Sequence, residues 1–216
     1  MTERVLRADW PAPANIVAGT TLRGGDESDL PATPAWLNQV HGDRAVKLES
    51  EAFAAGEPDA DAVISDMPGS ICAIRTADCL PILLCARDGQ EIAAVHAGWR
   101  GLAAGVIDAT VAKMATPPSE LLAWIGPAIA QSSFEVGAEV REAFDAAGFD
   151  TAGCFTQNDR GRWQADLFGL AADRLRAIGV TAVSGERVCT YADPKRFFSY
   201  RRDGPTGRLL SFVYLG

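Results

Sequence analysis

LPILLCARDGQEIAAVHAGWRG, residues 80–101, holds two short apolar runs separated by Asp88-Gly89 and followed by a glycine-containing loop. Apolar runs of this length flanking an Asp-Gly pair predict two strands joined in a hairpin. Beyond the second run, Leu102, Val106, Thr110 and Met114 recur every fourth residue, with Ile107 and Val111 widening the stripe. That period predicts one helix from about Gly101 to Met114, ended by Pro117-Pro118. Working outward, NIVAGTTL, AWLNQVH, RAVKLE, ADAVIS and SICAIRT precede the hairpin as further strand-like runs, and LLAWIG follows the helix. GAEVREAFDAAG and DLFGLAADRLRAIG read as helices closed by Gly148 and Gly179. TAVSGERVCTY, FFSYRR and LLSFVYL return to β at the end. Strands arrive in clusters rather than in βαβ alternation, so the expected class is α+β with mixed or antiparallel sheets, in one domain or two halves sharing a core. No GxGxxG or Walker loop is present.

The net charge is −8, which argues against a nucleic-acid partner, because such binding rests on Lys and Arg neutralising phosphates. A small anion held by a few local arginines remains compatible with it. The apolar runs fall well short of a membrane span, and MTERVLRADWPAPANIVAG lacks a signal-peptide apolar core, so a cytoplasmic protein is expected. The five cysteines form no CxxC pair, which fits neither a disulfide framework nor a zinc ribbon. Oligomeric state is left open by the sequence.

Only two histidines occur. His41 closes AWLNQV and precedes Gly42; His96 closes EIAAV and precedes Ala97-Gly98-Trp99-Arg100-Gly101. Cys79 lies in the polar segment TADC between two apolar runs. A lone histidine is more often a core or surface residue than a ligand. Here both stand at predicted strand ends before glycine-containing loops, and a cysteine could reach the same cleft. One thiolate and two imidazoles suit zinc and leave a fourth tetrahedral position open, as catalysis requires. Arg100, at the start of the predicted helix, could hold a phosphate, and Arg201 and Arg202 sit among aromatics. Asp78 and Glu135 are the nearest candidates for acid–base work.

The segments WLNQVHGD (36–43), TADCLPILL (76–84), HAGWRGLAAGV (96–106), IGPAIAQSSFEVGAEV (125–140) and FFSYRRDGPTGR (197–208) resemble the signature blocks of the YfiH-like family, also labelled polyphenol oxidase, laccase-domain or purine nucleoside phosphorylase. The resemblance implies an α+β fold, a mixed β-sheet core flanked by helices with residues 1–216 as a single domain, and a zinc centre on His41, Cys79 and His96, which would serve as both metal ligands and catalytic residues. It implies phosphorolysis of purine nucleosides (adenosine, inosine, guanosine and methylthioadenosine) to base and ribose 1-phosphate, and also deamination of adenosine. Gln39, Asp78, Arg100, Glu135 and Arg201 are the residues expected to bind substrate and phosphate. The chain departs from the family near its start, where only TTLRGGDESDLPATP (20–34) fills the place of a longer stretch. Two histidines cannot ligate the four coppers of a conventional multicopper oxidase. A single His₂Cys copper site, serving a copper-dependent polyphenol oxidoreductase, and a cysteine hydrolase using Cys79 survive as alternatives.

Overall fold

A computed structural model describes residues 4–216. In chain order the strands of the first half are β1 (Val5–Arg7), β2 (Ile16–Thr21), β3 (Ala45–Lys47), β4 (Ala62–Ser65), β5 (Ile71–Thr76), β6 (Leu80–Ala86) and β7 (Ile92–Ala97). Helices α1 (Trp99–Ala104) and α2 (Val106–Lys113) follow, then β8 (Leu121–Ile125), β9 (Glu135–Val136), α3 (Ala138–Ala146), β10 (Phe155–Gln157) and β11 (Trp163–Ala165). Helix α4 (Leu167–Ala177), β12 (Ala182–Ser184), the short α5 (Tyr200–Asp203) and β13 (Leu209–Leu215) complete the chain.

β6 and β7 form the expected hairpin, with Leu80 opposite Ala97 and Cys85 opposite Ile92. Gly89 closes the turn at φ +70°, a left-handed conformation that glycine adopts without strain, and its N–H donates to the Ala86 carbonyl at 3.0 Å. The hairpin lies at the middle of a six-stranded mixed sheet of order β12-β8-β6-β7-β4-β3. Ile82 and Leu84 point to one face, beneath Leu102, Val106 and Ile107 of the first two helices and Leu170 of α4. Leu83 and Cys85 point to the other, against Ile16, Cys72, Ile74 and Val213 of a four-stranded antiparallel sheet of order β1-β2-β13-β5. Burial on both faces explains why LPILLCA is a continuous apolar run rather than an alternating one. Each such leucine or isoleucine contributes about 1.5–3 kcal/mol. The result is an α+β architecture of three layers: helices, a mixed sheet and an antiparallel sheet. No helix among the described residues is long and apolar enough to cross a membrane.

Four expectations need correction. The single helix over 101–114 is two, broken at Gly105, which takes φ +97° and donates its N–H to the carbonyls of Gly101 and Leu102. AWLNQVH is not a strand. Its backbone makes one isolated bridge, between Asn38 and Asp59, and a side chain pairs beyond it: the Gln39 amide donates to the Arg75 carbonyl and accepts from the Arg75 N–H, both at 2.8 Å, while His41 turns the chain at φ +61°. FFSYRR is not a strand either, because Ser199 caps α5 by accepting the Arg202 N–H. Of TAVSGERVCTY only Ala182–Ser184 joins a sheet, and Gly185 at φ +117° ends it. The sheet of order β10-β11-β9 went unforeseen, since strands of two or three residues carry no readable period. Helices α3 and α4 are followed by left-handed Gly148 and Gly179, as their sequences suggested.

Candidate functional site

β5 belongs to the antiparallel sheet and β6 to the mixed one, so Ala77-Asp78-Cys79 is the crossing between them. Cys79 emerges there, beside the end of β7, where His96 lies opposite Pro81. His41 arrives from the irregular segment pinned by Gln39. The possible ligand atoms of His41, Cys79 and His96 all lie within 4.8 Å of one another. Cys79 Sγ is 3.9 Å from His41 Nε2, and the two imidazoles meet edge to face at 4.8 Å between centroids. Gly98 makes this closeness sterically feasible: a Cβ there would lie 3.0 Å from His41 Cδ2 and 3.1 Å from Cys79 Sγ.

Behind the three side chains sits Asp61, wholly buried and absent from the sequence-derived set. Its carboxylate accepts from His96 Nδ1 at 2.7 Å and from the backbone N–H groups of Val40 (3.2 Å), His41 (2.9 Å) and Gly42 (2.7 Å). Successive N–H groups converging on one anion form a nest, which the left-handed turn at His41 creates. Burial alone would raise the Asp61 carboxyl, but the hydrogen bonds from His96, Gly42 and His41 hold it below its usual range. The available signal in the sequence was an acid directly ahead of an apolar strand, in ADAVIS.

Burial also opposes charge on Cys79 and His96, and their neighbours overcome it. Hydrogen bonds from His41 and His96 bring the Cys79 thiol down to about 6. Asp61 and Cys79 raise His96 to about 9. The centre therefore favours a thiolate near neutral pH, the form in which cysteine binds metals.

These residues form one wall of a cleft of about 560 Å³. Trp99, Phe134 and Tyr200 line it, and Tyr200 is 56% exposed. Four arginines reach it. Arg75 is paired with Glu57 and stacked on Trp36. Arg100, Arg201 and Arg208 have no acidic partner among the described residues: Arg100 lies over the Trp99 ring at 4.3 Å, Arg201 donates to the Glu135 carbonyl, and Arg208 donates to the carbonyls of Thr206 and Gly207. Arg75 and Arg208 were not singled out in the sequence; the TGR end of its last signature block was the hint for Arg208.

Gln39 lines the cleft, yet both ends of its amide are bound to Arg75. Asp78 also borders it, at φ +86°, but its carboxylate accepts from Thr190 Oγ1 (2.6 Å), Ser199 Oγ (3.0 Å) and the Arg201 N–H (2.7 Å). It clamps the segment that carries Tyr200 and Arg201. Glu135 is not on the cleft wall; its carboxylate pairs with Arg160 and Asn158. Arg202 is bound to Asp203 and to three backbone carbonyls.

Donors on a tetrahedral zinc lie about 3.3–3.8 Å apart. A mutual spread of at most 4.8 Å would need only a small contraction, and three protein donors leave one position for water or substrate.

Residues 16–216 match the family described as multi-copper polyphenol oxidoreductase laccase. The chain is 51% identical over 187 residues to a purine nucleoside phosphorylase of Shigella flexneri, covering 87% of this chain and 76% of that one. It is 45% identical to one of Pseudomonas aeruginosa, over 97% of this chain and 98% of the other. That alignment spans 240 positions, more than the 216 residues here, so the relative carries segments this chain lacks. A crystal structure of a Neisseria meningitidis protein superposes with a TM-score of 0.90 at 41% identity, covering 99% of each chain.

Proposed function

The chain belongs to the laccase-type polyphenol oxidoreductase family, and we propose that it acts as a zinc-dependent purine nucleoside phosphorylase, converting adenosine, inosine, guanosine or methylthioadenosine and phosphate to free base and the sugar 1-phosphate. The observation that carries this reading is the His41–Cys79–His96 donor set beside three arginines that have no acidic partner among the described residues, in a chain of net charge −8. The names of the two close relatives support it.

Zinc at these donors supplies Lewis acidity toward a substrate oxygen. The protein's own groups do the rest. Arg100 and Arg201 receive phosphate with charge-assisted hydrogen bonds and hold it facing the ribose C1′. The aromatic wall of Trp99, Phe134 and Tyr200 takes the purine and excludes water from one side of the sugar. The C1′–N9 bond breaks with oxocarbenium character and its electron pair leaves on the purine; an oxygen of hydrogen phosphate forms the new bond to C1′, and the phosphate's proton passes to the departing base. Asp78 supports the wall rather than donating the proton, because both its oxygens are engaged by Thr190, Ser199 and Arg201, while Glu135 lies off the wall with its Oε2 held by Arg160 and Asn158. We infer adenosine deamination as a companion activity: zinc held by His41, Cys79 and His96 would supply Lewis acidity toward a water, the general chemistry of zinc deaminases.

The test is to purify the protein without added metal, count zinc and copper per chain, and incubate it with adenosine with and without phosphate. About one zinc per chain, with adenine and ribose 1-phosphate formed only when phosphate is present, is expected. A zinc-loaded protein that releases no base from any of the four nucleosides overturns the phosphorylase reading. Inosine from adenosine measures deamination separately. Copper in place of zinc, with oxygen-dependent oxidation of phenols, would favour the oxidoreductase alternative.

A further inference from the structure

We propose that Asp61 is the positioning residue of the metal centre, one carboxylate that fixes both the tautomer of His96 and the left-handed turn presenting His41. The assignment rests on the zinc reading above. Oδ1 accepts from His96 Nδ1 and the His41 N–H; Oδ2 accepts from the N–H groups of Val40 and Gly42. A carboxylate can only accept, so the hydrogen of a neutral His96 sits on Nδ1 and the lone pair on Nε2. The same carboxylate anchors three consecutive backbone donors around His41, whose φ of +61° is uncommon for a residue with a side chain. Two ligands from separate parts of the chain thus share one buried anchor.

The geometry excludes the isosteric amide. In Asp61→Asn, an NH₂ in the Oδ1 position faces the His41 N–H and compels His96 to accept at Nδ1, which moves its hydrogen onto Nε2. An NH₂ in the Oδ2 position faces the N–H groups of Val40 and Gly42 and pushes the turn open. Either orientation removes one imidazole from the donor set, although the side chain has the same shape.

The experiment measures zinc affinity by chelator competition for the wild-type chain and Asp61→Asn, with circular dichroism and urea unfolding as folding controls. Replacement by cobalt reports the thiolate and imidazole ligands through the absorption spectrum. A folded Asp61→Asn protein that binds zinc about 10–100-fold more weakly, with an altered cobalt spectrum, is expected. Equal affinities and identical spectra overturn the assignment alone. A wild-type chain that does not bind zinc overturns the zinc reading and this assignment with it. If Asp61→Asn fails to fold, long-range ¹H–¹⁵N spectra of the zinc-loaded wild type decide. A hydrogen on His96 Nδ1 and none on Nε2 supports the assignment, and an unprotonated Nδ1 overturns it.

Discussion

Replacing Asp78 separates a structural clamp from a proton donor. In Asp78→Ala, the hydroxyls of Thr190 and Ser199 and the N–H of Arg201 lose their acceptor in a place only 7% exposed. A buried donor left unpaired costs about 1–3 kcal/mol, and removing one partner of a buried charged network costs about 3–5 kcal/mol in all. In Asp78→Asn, the best orientation puts the NH₂ toward Thr190, whose hydroxyl can reverse and accept, while the oxygen keeps Ser199 and Arg201. The three bonds survive but lose charge assistance, for a total of about 1–3 kcal/mol. Asparagine also tolerates the left-handed backbone at this position. With a urea slope of about 2 kcal/mol/M, the midpoint should fall by about 1.5–2.5 M for alanine and about 0.5–1.5 M for asparagine. Asp78→Asn should keep measurable turnover, with a raised KM for phosphate because Arg201 is less firmly held. An Asp78→Asn protein with wild-type stability and no turnover would refute this reasoning and return Asp78 to the role of proton donor.

Arg100→Ala and Arg201→Ala should each raise the phosphate KM by roughly 10–100-fold, the loss of one charge-assisted bond, in initial-rate assays. Arg202→Ala should instead lower the urea midpoint, because its guanidinium is spent on Asp203 and on the carbonyls of Thr190, Tyr191 and Phe197. Gly98→Ala should leave the fold cooperative but reduce bound zinc, measured by metal analysis, since its Cβ would press on both His41 and Cys79. In protein stripped of metal, alkylation of Cys79 followed by peptide mass mapping should show a midpoint near pH 6, with the rate falling as pH drops below it and the thiolate becomes protonated. Burial pushes Cys85 up to about 12 and Cys154 to about 11, so both should resist alkylation at neutral pH. A Cys79 midpoint near 8.5, that of an ordinary thiol, would contradict the environment described.

The hairpin, both later helices and β13 were legible because long apolar periods and glycine stops carry local information. The convergence of His41, Cys79 and His96 was legible in part: His96 does close a strand and Cys79 does stand between two. His41 does not close a strand, since Gln39 and Asp61 shape its segment through contacts 36 and 20 residues away in sequence. Asp61 itself was hidden because a buried acid looks like any other acid until its donors are known. That Asp78 and Glu135 are hydrogen-bonded carboxylates was a reading the sequence allowed, but their partners Thr190, Ser199 and Arg160 lie too far along the chain to be named from it.

At the crossing of Ala77-Asp78-Cys79, a metal ion in the proposed centre would also act as a rivet. Cys79 and His96 both border the mixed sheet, whereas the segment of His41 is pinned through Gln39 to Arg75 of β5 in the antiparallel sheet, so an ion held by all three would tie the layers together. Sliding of one sheet against the other would pull the donors apart. Occupancy of the centre should therefore be felt throughout the interlayer core, slowing amide exchange in β5 and β6 alike, far beyond the residues that touch the ion.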